Sequence, residues 1–87
     1  MDNKREHTRS PLKVQLRIDH PVHGALTVTT RDISDSGVFV LIDEAQRLLQ
    51  IGEVVSGQVQ GLPIPAPVVQ MRVVRFEPSG MGLVFIH

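Results

Sequence analysis

Two short patterns of polar residues contain the side chains that could do chemistry. The first is a pair of arginines four positions apart, Arg5 and Arg9, in a polar segment near the N-terminus. The second is the segment 32–37, which reads Asp-Ile-Ser-Asp-Ser-Gly. A guanidinium group is planar, forked and always charged, so it can pair with a phosphate, hydrogen-bond a guanine edge or stack on a purine. The carboxylate of Asp32 is an acceptor for N–H donors.

Each pattern is weak evidence when taken alone, because two arginines at this spacing are common and an Asp-x-Ser corner is ordinary turn chemistry. The charge distribution adds a second observation. The net charge is zero, yet residues 1–31 hold six Lys or Arg against three acidic residues, whereas residues 32–71 hold five acidic residues and a single arginine. A basic N-terminal third favours a small anionic ligand over a long polyanion, the alternative being an ordinary solvated surface.

The elements that must position these residues are predicted to be β-strands. Residues 12–18 alternate apolar and polar side chains with a period of two, which indicates a half-buried strand. Turn signals recur every eight to twelve residues, which is typical of an antiparallel barrel. We therefore predict an all-β fold, a six-stranded antiparallel β-barrel with strands at 12–18, 25–33, 38–42, 53–60, 68–76 and 81–86.

The predicted barrel contains at most one short helical turn. Residues 43–50 are the helix candidate, with Asp43 as its cap and Gly52 as its stop. Three prolines in residues 61–67 predict a rigid hairpin loop, although a polyproline ligand for another domain is conceivable. The strand aromatics Phe39, Phe76 and Phe85 are assigned to the core.

Together, in this order and context, the two polar patterns resemble the signature of the PilZ domain family. That family carries RxxxR in a flexible loop before the first barrel strand, which Arg5 and Arg9 match. It carries (D/N)xSxxG where strand two runs into strand three, which Asp32, Ser34 and Gly37 match. The resemblance extends over residues 4–85, including a similar closing strand, and implies a split-barrel type of fold. PilZ domains often continue into a helix, but this sequence stops at residue 87, so no C-terminal helix is expected.

The resemblance implies that the ligand is the bacterial second messenger cyclic di-GMP, which presents two phosphates and two guanine bases. Arg5 and Arg9 would jointly bind the phosphates and the O6 and N7 edges of guanine. Asp32 would accept the guanine N1–H and N2–H donors. Ser34 would bind a phosphate or hold the corner.

Two further residues are assigned to the same site. Gly37 would either supply a positive φ or let the backbone approach the ligand. Lys4 precedes the first arginine, at the position that in PilZ domains influences whether one ligand molecule or a stacked pair is bound. A basic residue there favours the pair, but lysine stacks less well than arginine, so the stoichiometry is left open.

This assignment divides the chain into a flexible N-terminal arm, residues 1–10, and a barrel domain, residues 11–87. We expect the ligand to order the arm against the barrel, and the resulting surface to regulate an unknown protein partner in signal transduction. The chain is expected not to be an enzyme, because no third catalytic group or oxyanion element accompanies any Ser–His pair. The alternative is a PilZ-fold adaptor that contacts proteins without binding nucleotide.

Other classes of function are disfavoured by composition. Without cysteine, and with only His20 and His23 sharing a turn, no metal site and no cofactor is expected. A polar N-terminus and the lack of an apolar run of about 20 residues argue against a signal peptide and a membrane span, so a cytoplasmic location is expected. Zero net charge and few aromatics disfavour a nucleic acid polymer as partner. The sequence leaves monomer and homodimer open.

Overall fold

The computed structural model describes residues 9–86, and these residues form β-strands joined by turns. The seven strands are β1 (Ser10–Pro11), β2 (Gln15–His20), β3 (Gly24–Ile33), β4 (Gly37–Leu41), β5 (Val54–Val59), β6 (Val69–Glu77) and β7 (Gly80–Ile86). Within the described residues the helical structure is a 3₁₀ turn, Ala45–Arg47. No helix in this part of the chain has the length and apolar character needed to cross a bilayer.

Six antiparallel strands close into a barrel, as the sequence predicted. Neighbouring strands follow the order β3, β2, β5, β6, β7, β4, and β4 then pairs with β3 to complete the ring. Closure leaves none of these six strands with a fully open edge, which removes the usual template for intermolecular strand pairing. The two-residue strand β1 was not predicted; it pairs with the far end of β3, beyond the stretch that β2 covers.

The barrel interior is filled by alternate residues of its strands. In β2, for example, Leu16 and Ile18 are buried, whereas Arg17 between them is exposed. This alternation is the direct result of the two-residue period of a strand. The core residues contributed by the six strands are Leu16, Ile18, Val28, Val38, Val40, Val55, Met71, Val73, Met81 and Leu83.

The connection between β4 and β5 supplies the helical turn, but not with the predicted cap. The turn begins after Glu44, which has a left-handed backbone (φ 55°) and makes no side-chain capping hydrogen bond. Asp43 is therefore not the cap. Ala45 and Leu49 from this connection are buried against the barrel core, so the segment is held by packing and not by helix propensity.

Two β-bulges change which side chains reach the outer surface of the barrel. In the β3–β4 pair Thr30 is opposite Val40 and Asp32 is opposite Phe39, so Arg31 is an extra residue in β3. A similar shift lies between Val73 and Arg75 in β6. Because a bulge places two residues opposite one, the side chains of consecutive residues can lie on the same face.

Candidate functional site

The short strand β1 determines where Arg9 lies. Ser10 is opposite Ile33 and Pro11 is opposite Asp32, so Arg9 immediately precedes the paired residues and lies beside the corner after β3. Residues two apart on a strand share a face, so Arg9 is on the same side as Pro11. Because Pro11 is opposite Asp32, Arg9 is also on the same side as Asp32. Its Nε donates to Oδ1 of Asp32 at 2.6 Å, and one of its terminal nitrogens is 3.4 Å from Oγ of Ser34. The structure thus brings together one residue of the first pattern and two of the second.

Asp32 is the centre of a charged cluster on the outer surface. Its Oδ1 accepts from Arg9, and its Oδ2 accepts from Nε of Arg31 at 2.8 Å. Burial raises the pKa of Asp32, but the hydrogen bonds from Arg31 and Arg9 outweigh that effect, so the net pKa lies below its usual value. The carboxylate is therefore ionised at neutral pH and is available as an acceptor in a site with excess positive charge.

Ser34 holds the corner between β3 and β4. Its backbone N–H donates to the carbonyl of Gly37 at 2.8 Å, and its hydroxyl accepts from the N–H of Ser36 at 3.3 Å. The hydroxyl of Ser36 lies 3.2 Å from that of Ser34. These local hydrogen bonds are those of an ordinary Ser turn, and they stabilise the corner. Ser34 also contacts Arg9 through its hydroxyl.

Gly37 is required by the packing of two strands. It lies in β4 opposite Val84 of β7, and a Cβ atom there would collide with the backbone carbonyl of Leu83. The positive φ considered for this residue is not found: the glycines with positive φ are Gly24, Gly52 and Gly61. Glycine is therefore required because the backbones of β4 and β7 approach closely at this position. The β4–β7 pairing closes the barrel and holds the corner in place.

Arg31 was not assigned to the site from the sequence, and Phe39 was assigned only to the core. Arg31 was considered only as part of the charge count, because strict alternation would place it on the opposite face from Asp32; the bulge puts both on the outer face. Phe39 is fully buried, as predicted, but it lies on the outer face and not in the interior, because its neighbours Val38 and Val40 point inward. The guanidinium carbon of Arg31 is 3.8 Å from the centre of its ring.

Lys4 and Arg5 lie outside the described residues, as does most of the predicted flexible arm, so their assignments stay predictions. Within residues 9–86 no group of three His, Cys, Asp or Glu side chains is arranged to hold a metal ion. The part of the predicted site that is described consists of Arg9, Asp32 and Ser34, held beside one another at the β3–β4 corner.

Comparison with solved structures identifies the fold. The Bacillus subtilis inhibitor of motility, MotI/DgrA, matches 99% of this chain with a TM-score of 0.71 and 16% sequence identity. At that identity the likeness concerns the fold alone. The chain spans 44% of the length of the MotI/DgrA chain. A search of curated proteins finds no match to this sequence.

Comparison with protein families identifies the family of the chain. The PilZ domain family matches residues 3–87, which includes both polar patterns and all seven strands. The match extends over nearly the whole chain, and the barrel architecture agrees with it. The chain therefore belongs to the PilZ domain family.

Proposed function

We propose that this chain is a cyclic di-GMP receptor whose site lies at the β3–β4 corner and includes the arginines of the preceding segment. PilZ domains form a receptor and adaptor family for this second messenger, and the chain carries both family patterns. The observation that carries the proposal is the contact of Arg9 with both Asp32 and Ser34. Asp32 and Ser34 thus contact the second arginine of the RxxxR pattern, although they lie 23 and 25 positions after it in the sequence.

The chemistry of this corner fits an anionic purine ligand. An arginine has five N–H donors, and within residues 9–86 Arg9 uses its guanidinium on one carboxylate oxygen and one hydroxyl. Its remaining donors are suited to a phosphate or to the O6 and N7 atoms of guanine. Asp32, which is ionised, offers acceptors to guanine N–H groups. Arg5 and Lys4 would supply further positive charge from the same segment.

The proposed signal is the ordering of the N-terminal arm, residues 1–10, against the barrel. Fixing a residue costs roughly 1–2 kcal/mol of backbone entropy, whereas each hydrogen bond to a charged group contributes about 1.5–3 kcal/mol. Several such bonds together with base stacking would offset the cost for a short arm. Because Arg9 already contacts the barrel, the ordering step concerns the residues that precede it, and the ordered arm would form a composite surface for a protein partner.

Calorimetric titration tests the receptor proposal directly. The chain is titrated with cyclic di-GMP, and in parallel with GMP and with a short oligonucleotide. Saturable binding of cyclic di-GMP alone would support the proposal. The absence of heat with cyclic di-GMP would contradict it and favour the adaptor that binds no nucleotide. Amide exchange then tests the signal: the proposal requires slower exchange in the arm residues that precede Arg9 at saturating ligand, and unchanged exchange there would exclude it.

A further inference from the structure

Arg31 is a third arginine at the corner, and its position results from the bulge in β3. The extra residue between Thr30 and Asp32 places Arg31 on the outer face, next to Asp32. Its guanidinium lies over the ring of Phe39, with 3.8 Å between the guanidinium carbon and the ring centre. This distance is typical of a cation–π contact, in which the planar cation lies against the aromatic face.

The ring beneath Arg31 is buried and closely packed. Phe39 is fully buried although it lies on the outside of the barrel. It is paired with Gly82, and a Cβ atom at Gly80 would lie 3.0 Å from an edge carbon of its ring, so Gly80 leaves space that the ring fills. Arg75 lies over the same ring at 5.4 Å. The ring is therefore a rigid support for the guanidinium of Arg31.

Polar contacts also fix the orientation of this guanidinium. Its Nε donates to Oδ2 of Asp32 at 2.8 Å, and a terminal nitrogen is 3.6 Å from a carboxylate oxygen of Glu77. The side chain of Arg31 is nevertheless 42% exposed. Since Phe39 covers one side of the group, the exposed surface of the side chain lies away from the ring. A planar cation held in place with one open face is a suitable surface for a purine.

We propose that Arg31 is a further residue of the dinucleotide site, which holds Asp32 through Oδ2 and offers the open face of its guanidinium to a guanine base. This inference rests on the proposed function. The ligand has two guanines, and the corner then has two places for them side by side, the acceptor edge of Asp32 and the stacking face of Arg31. When Arg9 turns from Asp32 to a phosphate, Arg31 remains as the cation that compensates the carboxylate.

Variants of Arg31 test this role against a matched arginine. Cyclic di-GMP is titrated calorimetrically into the wild type, Arg31→Lys, Arg31→Ala and Arg17→Lys. Arg17 is the control because it is an exposed barrel arginine paired with an aspartate, Asp19, at 3.2 Å. Lysine keeps the charge but has no planar face. We expect both Arg31 variants to bind roughly tenfold to a hundredfold more weakly, and the control to bind within about twofold, the range of a surface contact.

A second measurement uses the unaltered chain, so that it does not depend on the folding of a variant. Stacking of a base would shift the NMR resonances of the Arg31 side chain, including its Nε–H, upfield on titration, while those of Arg17 stay in place. Wild-type binding with unchanged Arg31 resonances, or with Arg31→Lys as tight as wild type, would overturn the role of Arg31 and leave the receptor proposal standing. A wild type that does not bind cyclic di-GMP would overturn both.

Discussion

The Nε of Arg9 donates to Oδ1 of Asp32 at 2.6 Å, across a sequence separation of 23 residues. The Arg9 side chain is 38% exposed and that of Asp32 is 17% exposed, so the pair is partly open to water. Ion pairs of this kind add only about 0–1 kcal/mol to folding stability, because water and salt screen them. The contact is therefore weak enough for Arg9 to exchange Asp32 for a ligand phosphate.

Replacement of Arg9 should separate binding from stability. We expect Arg9→Ala to weaken cyclic di-GMP binding by about 1–3 kcal/mol, since a forked donor is lost. The free energy of unfolding should fall by less than about 1 kcal/mol. Calorimetry and urea unfolding measure the two quantities. Arg17→Ala, which removes another exposed Arg–Asp pair, should leave the affinity unchanged. If Arg9→Ala and the wild type bound cyclic di-GMP with equal affinity, the assignment of Arg9 to the site would be wrong.

Asp32 should make the stability of the fold depend on pH. Its pKa is lowered in the folded state, the hydrogen bonds from Arg31 and Arg9 outweighing burial. The ionised form therefore stabilises the fold fully above the unfolded pKa of about 3.9, and this contribution is lost as the pH falls through the lower folded value. Urea unfolding of wild type and Asp32→Asn from pH 7 to pH 2 should show the largest difference above about pH 4. A difference that is constant across this range would contradict the lowered pKa.

Gly37 should be required for the stability of the barrel, whether or not a ligand is bound. A Cβ atom there would meet the backbone of Leu83, which cannot move without opening the β4–β7 pair. We expect Gly37→Ala to lower the unfolding free energy by about 1–3 kcal/mol or more, the range for overpacking. Gly82→Ala is the matched control on the adjoining strand, because the atoms nearest to its Cβ would belong to the flexible side chain of Arg75, the first at 3.1 Å. Thermal unfolding that ranks the two variants in the opposite order would contradict this explanation.

His20 should hold the turn between β2 and β3 through the acceptor nitrogen of its ring. Its Nδ1 accepts from the backbone N–H groups of Val22 and His23, at 3.0 and 3.1 Å. The proton is therefore on Nε2, which lies 2.6 Å from a carboxylate oxygen of Glu53. The hydrogen bond from the backbone N–H of Gln50, and then that from His20, lower the pKa of Glu53, which keeps this partner an acceptor.

Two measurements check the role of His20. Nitrogen NMR at neutral pH should show the Nε2–H tautomer for His20. His20→Ala leaves two backbone donors without their acceptor and should cost about 1–3 kcal/mol of stability, whereas His23→Asn, at an exposed position of the same turn, should cost less than half of that. An Nδ1–H tautomer would exclude the hydrogen bonds described.

The strands and the corner could be predicted because their signals are local. The alternation of Leu16 and Ile18 with Arg17 indicates a half-buried strand regardless of what pairs with it. The 3₁₀ turn was less predictable, since Glu44 adopts a left-handed backbone that its residue type does not favour. Tertiary packing of Ala45 and Leu49 decides that segment.

The environment of Arg31 and Phe39 could not be read from the sequence, because both depend on strand register. A run of apolar residues around Phe39 indicates burial, but not which face of the sheet is covered. Phe39 lies opposite Gly82, which is more than 40 positions away in the sequence, and two guanidinium groups lie over its ring. Only the paired strands, with the bulge between Thr30 and Asp32, bring these groups together.

The bulge in β3 also limits how the corner can be transferred to another protein. In a regular strand Arg31 and Asp32 would face opposite sides, so a graft of residues 32–37 alone onto a different barrel would deliver the carboxylate without its neighbouring guanidinium. A functional graft would need the extra bulge residue, Arg31, as well as the residues of the motif. In biosensor design, the β-bulge is therefore part of the recognition element that has to be copied.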